Sequence, residues 1–337
     1  MKYAKIGGQA VIEGVMMRCG NDYAVAVRKP DKQIEIKKDI YRGLVSRLKM
    51  RNVPVLRGVF AFIDSLVLGM KTLTYSASFF EDEEEEKEEP YHAGGCPVNE
   101  QESDDEPLKA SEENEKGESL KDKLFMGVTV AVSIVLAIGL FMVLPFFISD
   151  IFKHVTESAF ILSLIEGVVR VALFLGYLIL ISRMKDIQRT FMYHGAEHKT
   201  INCIEHGEEL TVENAMKYSR FHKRCGTSFL LIVVVLSVIF FMLFFTIVPV
   251  ENTVLKVVIR ILLVPVIAGV SYEIIQWAGR GDNCFVNAVS KPGMLMQKLT
   301  TREPDKDMLE VAIASIEAIY DWRSFQEELK AEAKKPE

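Results

Sequence analysis

The fold class is decided by the stretch Thr227–Val248, TSFLLIVVVLSVIFFMLFFTIV, in which every side chain is uncharged. A helix needs about 20 predominantly apolar residues to cross a hydrocarbon core of roughly 30 Å. Three other runs of similar composition are Leu124–Ile148, Ala159–Ser182 and Thr253–Ala278. Four buried helices of a soluble core are the alternative, but Phe229–Phe245 is too long and too uniformly apolar for that class. The chain is therefore predicted to cross a membrane four times.

The distribution of basic residues predicts the orientation of these helices. The segment between the second and third runs, residues 183–226, contains eight Lys and Arg residues, whereas the two short connections contribute only Lys153 and Lys256. Cytoplasmic loops of membrane proteins contain the excess of Lys and Arg. We therefore expect a multi-pass protein of the cell (inner) membrane, with residues 183–226 and both termini in the cytoplasm.

The net charge of −6 conceals two oppositely charged parts. Residues 81–118 contain 17 Asp and Glu against three Lys, a balance of −14, and the remainder contains 37 Lys and Arg against 29 Asp and Glu, a balance of +8. The acidic part cannot bury enough apolar surface to offset its ordering entropy, so 81–120 is predicted to be a disordered linker. A docking or sensing segment is the alternative. The basic remainder suits an anionic inner leaflet, and without a nucleic-acid motif no nucleic-acid partner is expected.

The N-terminal residues alternate between apolar and polar side chains as strands do. Gln9–Met17 is predicted to form one strand, and Tyr23–Lys29 is predicted to form a hairpin with Gln33–Lys37. The turn of this hairpin is placed at Pro30-Asp31-Lys32, because proline presets the φ angle that a turn requires. The pattern predicts a small antiparallel sheet.

Two amphipathic helices are predicted outside the four membrane runs. Arg57–Lys71 is apolar but too short to span a bilayer, so it is predicted to be an interfacial or re-entrant helix, with a helix packed on the sheet as the alternative. Apolar side chains recur at helical spacing from Met308 to Phe325, which predicts a C-terminal helix on the cytoplasmic domain or on the membrane surface.

These patterns predict a mainly α fold class, a four-transmembrane-helix bundle with a small mixed α+β cytoplasmic domain. Six parts follow along the chain: an N-terminal region with the sheet and interfacial helix, the acidic linker, a first transmembrane hairpin, a cytoplasmic His/Cys/Glu loop, a second transmembrane hairpin and a cytoplasmic C-terminal region with the amphipathic helix. Their boundaries are 1–80, 81–120, 121–182, 183–226, 227–278 and 279–337. Four of the six histidines lie in the fourth part, so a functional site is predicted there.

The sequence His194-x-x-Glu197-His198 is the strongest candidate for a metal site. Two histidines four residues apart lie on one face of a helix, and both imidazoles then reach one Zn²⁺ ion at about 2 Å. The glutamate beside the second histidine matches an inverted zinc-peptidase motif, in which it acts as a general base toward a water molecule. We therefore expect a divalent metal, zinc in the first place, with Glu197 as the catalytic residue.

The identity of the remaining ligands is left open by the sequence. The nearby candidates are Glu205, His206, His222 and Cys225. Glu273 is a distant candidate, since it is predicted to lie at the cytoplasmic end of the fourth span, where an acidic residue needs a partner. Three protein ligands plus water would indicate catalysis, whereas four protein ligands would indicate a structural site. A set for the structural site is His194, His198, His222 and Cys225. A segment that forms only internal hydrogen bonds and binds no metal is the remaining alternative.

Charged residues inside the membrane runs form a second candidate site. Glu166 and Arg170 are four residues apart in the second run, and Arg260 lies in the fourth. Such residues are costly in a bilayer unless they pair with one another. They are predicted to form a buried pair or triad that holds the bundle, with an arginine reaching the outer interface. A path for a proton, an ion or a substrate is the alternative.

Five motifs together resemble the YqhQ-like family of bacterial membrane proteins. They are GGQAVIEGVMMR at 7–18, YHGAEHKT at 193–200, HKRCGTSF at 222–229, SYE at 271–273, and KPG at 291–293 with LTTREP at 299–304. The resemblance covers nearly the whole chain except the acidic linker. It implies a predicted metal-dependent enzyme. The residues that coincide with family motif positions are Glu13, Arg18, His194, Glu197, His198, His222, Cys225 and Glu273. Zinc peptidases with the inverted motif are soluble and much longer, so neither their fold nor their substrate carries over.

Three functions follow from these patterns. The first is a metal-dependent hydrolase at the cytoplasmic membrane face, in which Glu13 or Arg18 orients the substrate. The second is a non-enzymatic membrane scaffold or assembly factor, with the bilayer and other membrane proteins as partners and with a structural metal or a hydrogen-bonded histidine segment. The third is an ion carrier that uses the charges inside the membrane. The metal content of the purified protein separates the first from a metal-free scaffold.

Overall fold

The structure is a computed structural model that describes residues 3–48, 52–80, 120–248, 250, 252–278 and 284–333. The predicted acidic linker lies outside the described residues except for its last position. Four strands form one antiparallel sheet in the order β1-β2-β3-β4. These strands are β1 Ile6–Val11, β2 Gly14–Cys19, β3 Asp22–Arg28 and β4 Ile34–Ile40. The predicted hairpin is confirmed, because β3 pairs with β4 in the register Arg28 to Ile34.

The single strand predicted at Gln9–Met17 is wrong, because the chain turns back within it. Val11 pairs with Gly14, so Ile12 and Glu13 form a two-residue turn between β1 and β2. Glu13 has a φ of 47°, in the left-handed region. A Cβ atom on Gly14 would lie 2.3 Å from the carbonyl oxygen of Ala26, so glycine is required there. Ile12 and Glu13 are not residue types that typically mark a turn, and apolar residues lie close on both sides of them, so the turn was missed.

Both faces of the sheet are covered by helices. One face packs against α6 Lys185–Glu205 and α11 Lys306–Ile319, with α7 Val212–Met216 and α12 Trp322–Ala333 beside them. Leu309 and Ile316 of α11 are fully buried in this core. The predicted C-terminal helix is therefore two helices, and both pack on the sheet domain. The chain leaves helical geometry at Tyr320.

The opposite face of the sheet packs against α2 Leu56–Ala77, which follows the short helix α1 Leu44–Arg47. The alternative prediction of a helix packed on the sheet is thus confirmed for this segment. Near its start α2 also crosses a membrane helix, where a Cβ atom on Gly58 would lie 2.7 Å from the carbonyl oxygen of Gly269. Its outer side leaves several apolar residues exposed, namely Ile63, Leu66, Val67, Met70 and Leu73. Contact of this side with a membrane surface stays a prediction.

The four apolar runs form helices that are long and apolar enough to cross a membrane. The first consists of α3 Leu120–Ile138, a π-helical turn at Gly139–Val143 and α4 Leu144–Ile151. The others are α5 Ala159–Ile181, α8 Gly226–Ile247 and α9 Thr253–Ala278, and α10 Cys284–Thr300 follows. Most of their apolar side chains face outward, as expected for helices that lipid surrounds. The predicted fold class, a mainly helical four-span protein with a small sheet, is confirmed.

The three charges inside the membrane helices contact one another. Glu166 accepts a hydrogen bond from Nη2 of Arg170 at 2.7 Å and another from Nη2 of Arg260 at 2.5 Å. Arg170 also donates to the carbonyl oxygen of Phe141 and to the hydroxyl of Ser237. One carboxylate therefore joins α5 to α9 as a buried triad, and Arg170 extends this network to the other two membrane helices.

Candidate metal centre

The histidine segment is mainly helical and is not an irregular loop. Helix α6 extends from Lys185 to Glu205, and its residues from Gly195 onward are buried. This burial follows from packing, because α6 contacts both the sheet and the neighbouring helix α11. His194 and His198, one helical turn apart, consequently face the same neighbours, and their ring centroids are 4.4 Å apart.

Three side chains of the described residues bring potential ligand atoms together. They are His194, His198 and Cys225, whose ligand atoms all lie within 4.8 Å of one another. The Nε2 atom of His194 is 3.2 Å from the Sγ atom of Cys225. Two imidazole nitrogens and one thiolate sulfur are ligands that Zn²⁺ and related divalent metals accept.

Hydrogen bonds from the far side of each ring select the tautomer that binds metals. Nδ1 of His194 lies 2.8 Å from the carbonyl oxygen of Thr300, and Nδ1 of His198 lies 2.6 Å from that of Arg220. Because a carbonyl oxygen only accepts, each Nδ1 donates its hydrogen and each Nε2 keeps a lone pair. Metal-binding histidines are typically oriented in this way. Nε2 of His198 is buried and has no hydrogen-bond partner among the described residues, so the donor set fits a metal ion.

Cys225 occupies the N-cap of α8, directly before the helix begins at Gly226. Its sulfur accepts a hydrogen bond from the backbone N–H of Thr227 at 3.4 Å and lies 3.0 Å from the hydroxyl of the same residue. The positive end of the helix dipole favours negative charge at this position. The N-cap position therefore places a soft sulfur ligand beside the two imidazoles.

Glu197 is buried beside the two histidines, and one of its carboxylate oxygens has no hydrogen-bond partner among the described residues. Oε1 accepts a hydrogen bond from the backbone N–H of Gly8 on β1 at 3.0 Å, and Oε2 has no partner among the described residues. Burial raises the pKa of this carboxyl above its usual value, and nearby His194 and His222 oppose the shift. A Cβ atom on Gly8 would lie 3.0 Å from Cδ of Glu197, so glycine permits the close approach. Burial also lowers the pKa of His198, which favours its neutral ring.

His222 and Glu205 form a separate network beside the metal candidates. Nε2 of His222 is 3.3 Å from Oε2 of Glu205, and Glu205 also binds Arg224 and the backbone N–H of Ala4. The ring of His222 is 5.7 Å from that of His198 between centroids. The structure thus does not group either residue with the three converging ligand atoms, although both were candidate ligands. His222 instead borders the site.

The structure places the other candidate residues away from this group. Arg57 on α2 donates hydrogen bonds to the carboxylate of Glu273, with a distance of 2.7 Å from Nε of Arg57 to Oε1 of Glu273. The partner of Glu273 is therefore this guanidinium and not the histidine cluster. Its expected place in the metal site is corrected accordingly, because the end of α9 packs against the start of α2. Arg18 donates to the carbonyl oxygen of Gly20 and lies over the ring of Tyr41.

Glu13 lies at the β1–β2 turn and fastens the sheet to α6. Its carboxylate accepts hydrogen bonds from Nη2 of Arg189 at 2.5 Å and from the hydroxyl of Tyr193 at 3.2 Å. Tyr193 immediately precedes His194, so this contact holds the start of the histidine motif against the sheet. The structure gives Glu13 partners of its own within the fold, and orientation of a substrate by Glu13 stays a prediction.

The carbonyl groups of Thr300 and Arg220 and the N–H of Gly8 were not predicted from the sequence. Backbone groups have no residue-specific signal, although Thr300 and Gly8 both lie within the quoted motifs. Gln297 was missed as well. Its Oε1 accepts a hydrogen bond from the backbone N–H of His222 at 2.9 Å, and its Nε2 donates one to the carbonyl oxygen of His222 at 2.8 Å. Gln297 therefore holds the segment before Cys225 against α10.

Comparison with known proteins gives two matches. Residues 53–322 match the family model described as "Protein of unknown function (DUF1385)", and these residues include all three converging ligands and Glu197. The chain is 33% identical over 310 residues to "Uncharacterized protein YqhQ" of Bacillus subtilis (strain 168), an alignment that covers 92% of this chain and 90% of the relative. No solved structure matches the chain significantly.

Proposed function

The chain belongs to the DUF1385 family of proteins of unknown function, as its YqhQ-like motifs predicted, and we propose that it is a membrane protein that binds one divalent metal ion through His194, His198 and Cys225. The proposal depends on the buried Nε2 atom of His198, which lacks a partner among the described residues. An unpaired polar atom is costly in a buried site, and a metal ion would use its lone pair. Two nitrogens and one sulfur favour zinc.

The function proposed for this centre is that of a hydrolase at the cytoplasmic face of the membrane. Catalytic zinc sites typically have three protein ligands and leave the fourth position to water or substrate. The metal would supply Lewis acidity and lower the pKa of a water molecule there. Glu197 supports the proposal, because the N–H of Gly8 holds Oε1 while Oε2 is available to accept a proton from that water. The eight basic residues at 183–226 support the cytoplasmic side, and the inner membrane is proposed on the same ground.

A scaffold with a structural metal is the second candidate, and burial favours it. Glu197, His198 and Cys225 are 5%, 1% and 7% exposed, so access for a substrate would need movement of the surrounding elements. A fourth protein ligand would then close the site, as in the predicted set that adds His222 to His194, His198 and Cys225. Such a protein would act through the lipid bilayer and through other membrane proteins as partners.

Elemental analysis of the detergent-purified chain tests metal binding. The wild-type protein is expected to contain about one equivalent of metal, and His198→Ala is expected to contain none. His206→Ala is the matched control, because His206 lies on the same helix but bonds to the carbonyl oxygen of Asn202 and packs on Tyr218. Wild-type protein without stoichiometric metal, or equal metal in all three proteins, would contradict the proposal.

Cobalt substitution separates the hydrolase from the structural site without knowledge of the substrate. In an open site, a small anion such as azide enters the fourth position and changes the visible Co²⁺ spectrum of the wild-type protein. In a closed site a protein ligand already fills the fourth position, so the wild-type spectrum is insensitive to azide. In cells, Glu197→Gln should abolish the function of a hydrolase and leave that of a scaffold intact.

A further inference from the structure

A cavity of about 170 Å³ lies among the membrane helices, lined by residues of α4, α5, α8 and α9. Lys153 and Val250 at its edge belong to the two short connections between membrane helices. The metal centre instead adjoins the opposite ends of α5 and α8. The cavity is therefore at the other end of the bundle. A cavity of roughly 150 Å³ holds a benzene molecule, so this one has room for a small anionic group.

Arg260 lines this cavity, and some of its N–H donors have no acceptor among the described residues. Its side chain is 4% exposed, and only Nη2 has a hydrogen-bond acceptor, the carboxylate of Glu166. Nε and Nη1 are buried and have no partner among the described residues. The rings of Phe146 and Phe245 lie 4.8 and 4.7 Å from the guanidinium carbon. Aromatic rings attract the cation, but they do not replace the acceptors that its N–H groups require.

The described charges around the cavity leave an excess of positive charge. Glu166 is shared between Arg170 and Arg260, and Asp150 pairs with Lys153. Lys256 also lines the cavity and has no ion pair with a described residue. Four basic side chains thus face two carboxylates. Uncompensated charge inside a membrane bundle is costly, so a counter-ion would stabilise this arrangement.

We propose that this cavity binds a phosphate group, held by Arg260 and Lys256. The planar guanidinium matches the geometry of phosphate oxygens, and the lysine adds a point charge. Phe146, Leu162 and Phe245 give the same cavity an apolar wall, which suits the glycerol and acyl part of a lipid. The phosphate comes either from the headgroup of an anionic lipid or from phosphate in solution.

Binding of defined probes to the delipidated full-length protein tests this site. The probes are dioctanoyl phosphatidylglycerol, dioctanoyl phosphatidylcholine and inorganic phosphate, and binding is followed by native mass spectrometry and by thermal shift. Arg260→Gln and Lys256→Gln each remove one proposed contact. Arg323→Gln is the matched control, since Arg323 is exposed on α12. We expect about tenfold or greater loss of phosphatidylglycerol affinity in the first two variants and no change in the third.

The probes also distinguish the source of the phosphate. Binding of phosphatidylglycerol without binding of inorganic phosphate indicates a lipid headgroup, and binding of both, with the same variant dependence, indicates that phosphate enters from solution. Equal affinity of the wild type and Lys256→Gln for every probe, or equal binding of phosphatidylcholine and phosphatidylglycerol, would overturn the proposal. Lys256→Gln decides alone if Arg260→Gln does not fold. The metal content of each variant reports separately on the distant histidine centre.

Discussion

The Nε2 atom of His194 lies 3.2 Å from the Sγ atom of Cys225, although 31 positions separate them in the chain. His194 belongs to α6 in the sheet domain, whereas Cys225 caps the membrane helix α8. The proposed metal ion would therefore join the two parts of the protein. Loss of the metal should weaken the contact between the sheet domain and the membrane helices, and it should also abolish the proposed hydrolase activity.

Cys225→Ser is expected to weaken metal binding strongly. Loss of a residue that only hydrogen-bonds a metal ligand lowers metal affinity by roughly 10- to 100-fold, and loss of a ligand itself should lower it further. Serine keeps a polar group at the N-cap of α8 but removes the soft thiolate ligand. In the cobalt-loaded protein, the sulfur-to-metal charge-transfer band in the near ultraviolet should disappear. Cys19→Ser, on β2 and outside the converging group, serves as the control and should keep the band. A band that survives in Cys225→Ser would exclude this sulfur as a ligand.

Gly195→Ala is expected to destabilise the protein by about 1–3 kcal/mol through overpacking. A Cβ atom at this position would lie 2.0 Å from the carbonyl oxygen of Arg302. The segment after α10 must then move away from α6, which breaks the hydrogen bond between His194 and Thr300. Thermal unfolding in detergent and metal titration should both report the change. Gly226→Ala meets nothing within 4 Å and should be tolerated, even though it adjoins Cys225.

Glu166→Gln is expected to lower the free energy of unfolding by about 3–5 kcal/mol, the usual effect of removing one partner of a buried ion pair. The variant would leave the guanidinium groups of Arg170 and Arg260 beside each other without a carboxylate. The melting temperature in detergent should fall sharply. Glu157→Gln, an exposed position just before α5, should have no measurable effect. A small effect at Glu166 would mean that the triad contributes little to the stability of the bundle.

Cys203 is expected to resist alkylation in the folded protein. Burial raises the pKa of its thiol to about 12, and only the thiolate reacts. At pH 8 the thiolate is then on the order of one in ten thousand of the molecules, and the fraction rises only as the pH approaches 12. Peptide mapping after treatment with N-ethylmaleimide should find Cys19, which is only partly buried, labelled before Cys203. Equal labelling of the two cysteines before unfolding would contradict the predicted burial.

Several features of this protein depend only on local composition and spacing, and these were predicted correctly. Runs such as Thr227–Val248 predict membrane helices because their length and apolarity are properties of the run alone. The four-residue spacing of His194 and His198 places both rings on one helical face for the same reason. The strand-like pattern predicted the sheet but missed the turn at Ile12 and Glu13, because these residue types are not typical of turns.

Contacts between side chains of different elements depend on how those elements pack in three dimensions. Cys225 joins the two histidines because the start of α8 packs near α6, while Glu273 binds Arg57 because α9 crosses α2. The carbonyl oxygen of Thr300, which orients His194, is a backbone group, so the residue type at that position could not predict the contact. Helical period acts over a few residues, whereas the convergence of ligands depends on how distant elements pack. Composition therefore predicted the presence of a histidine site, and packing selected its third ligand.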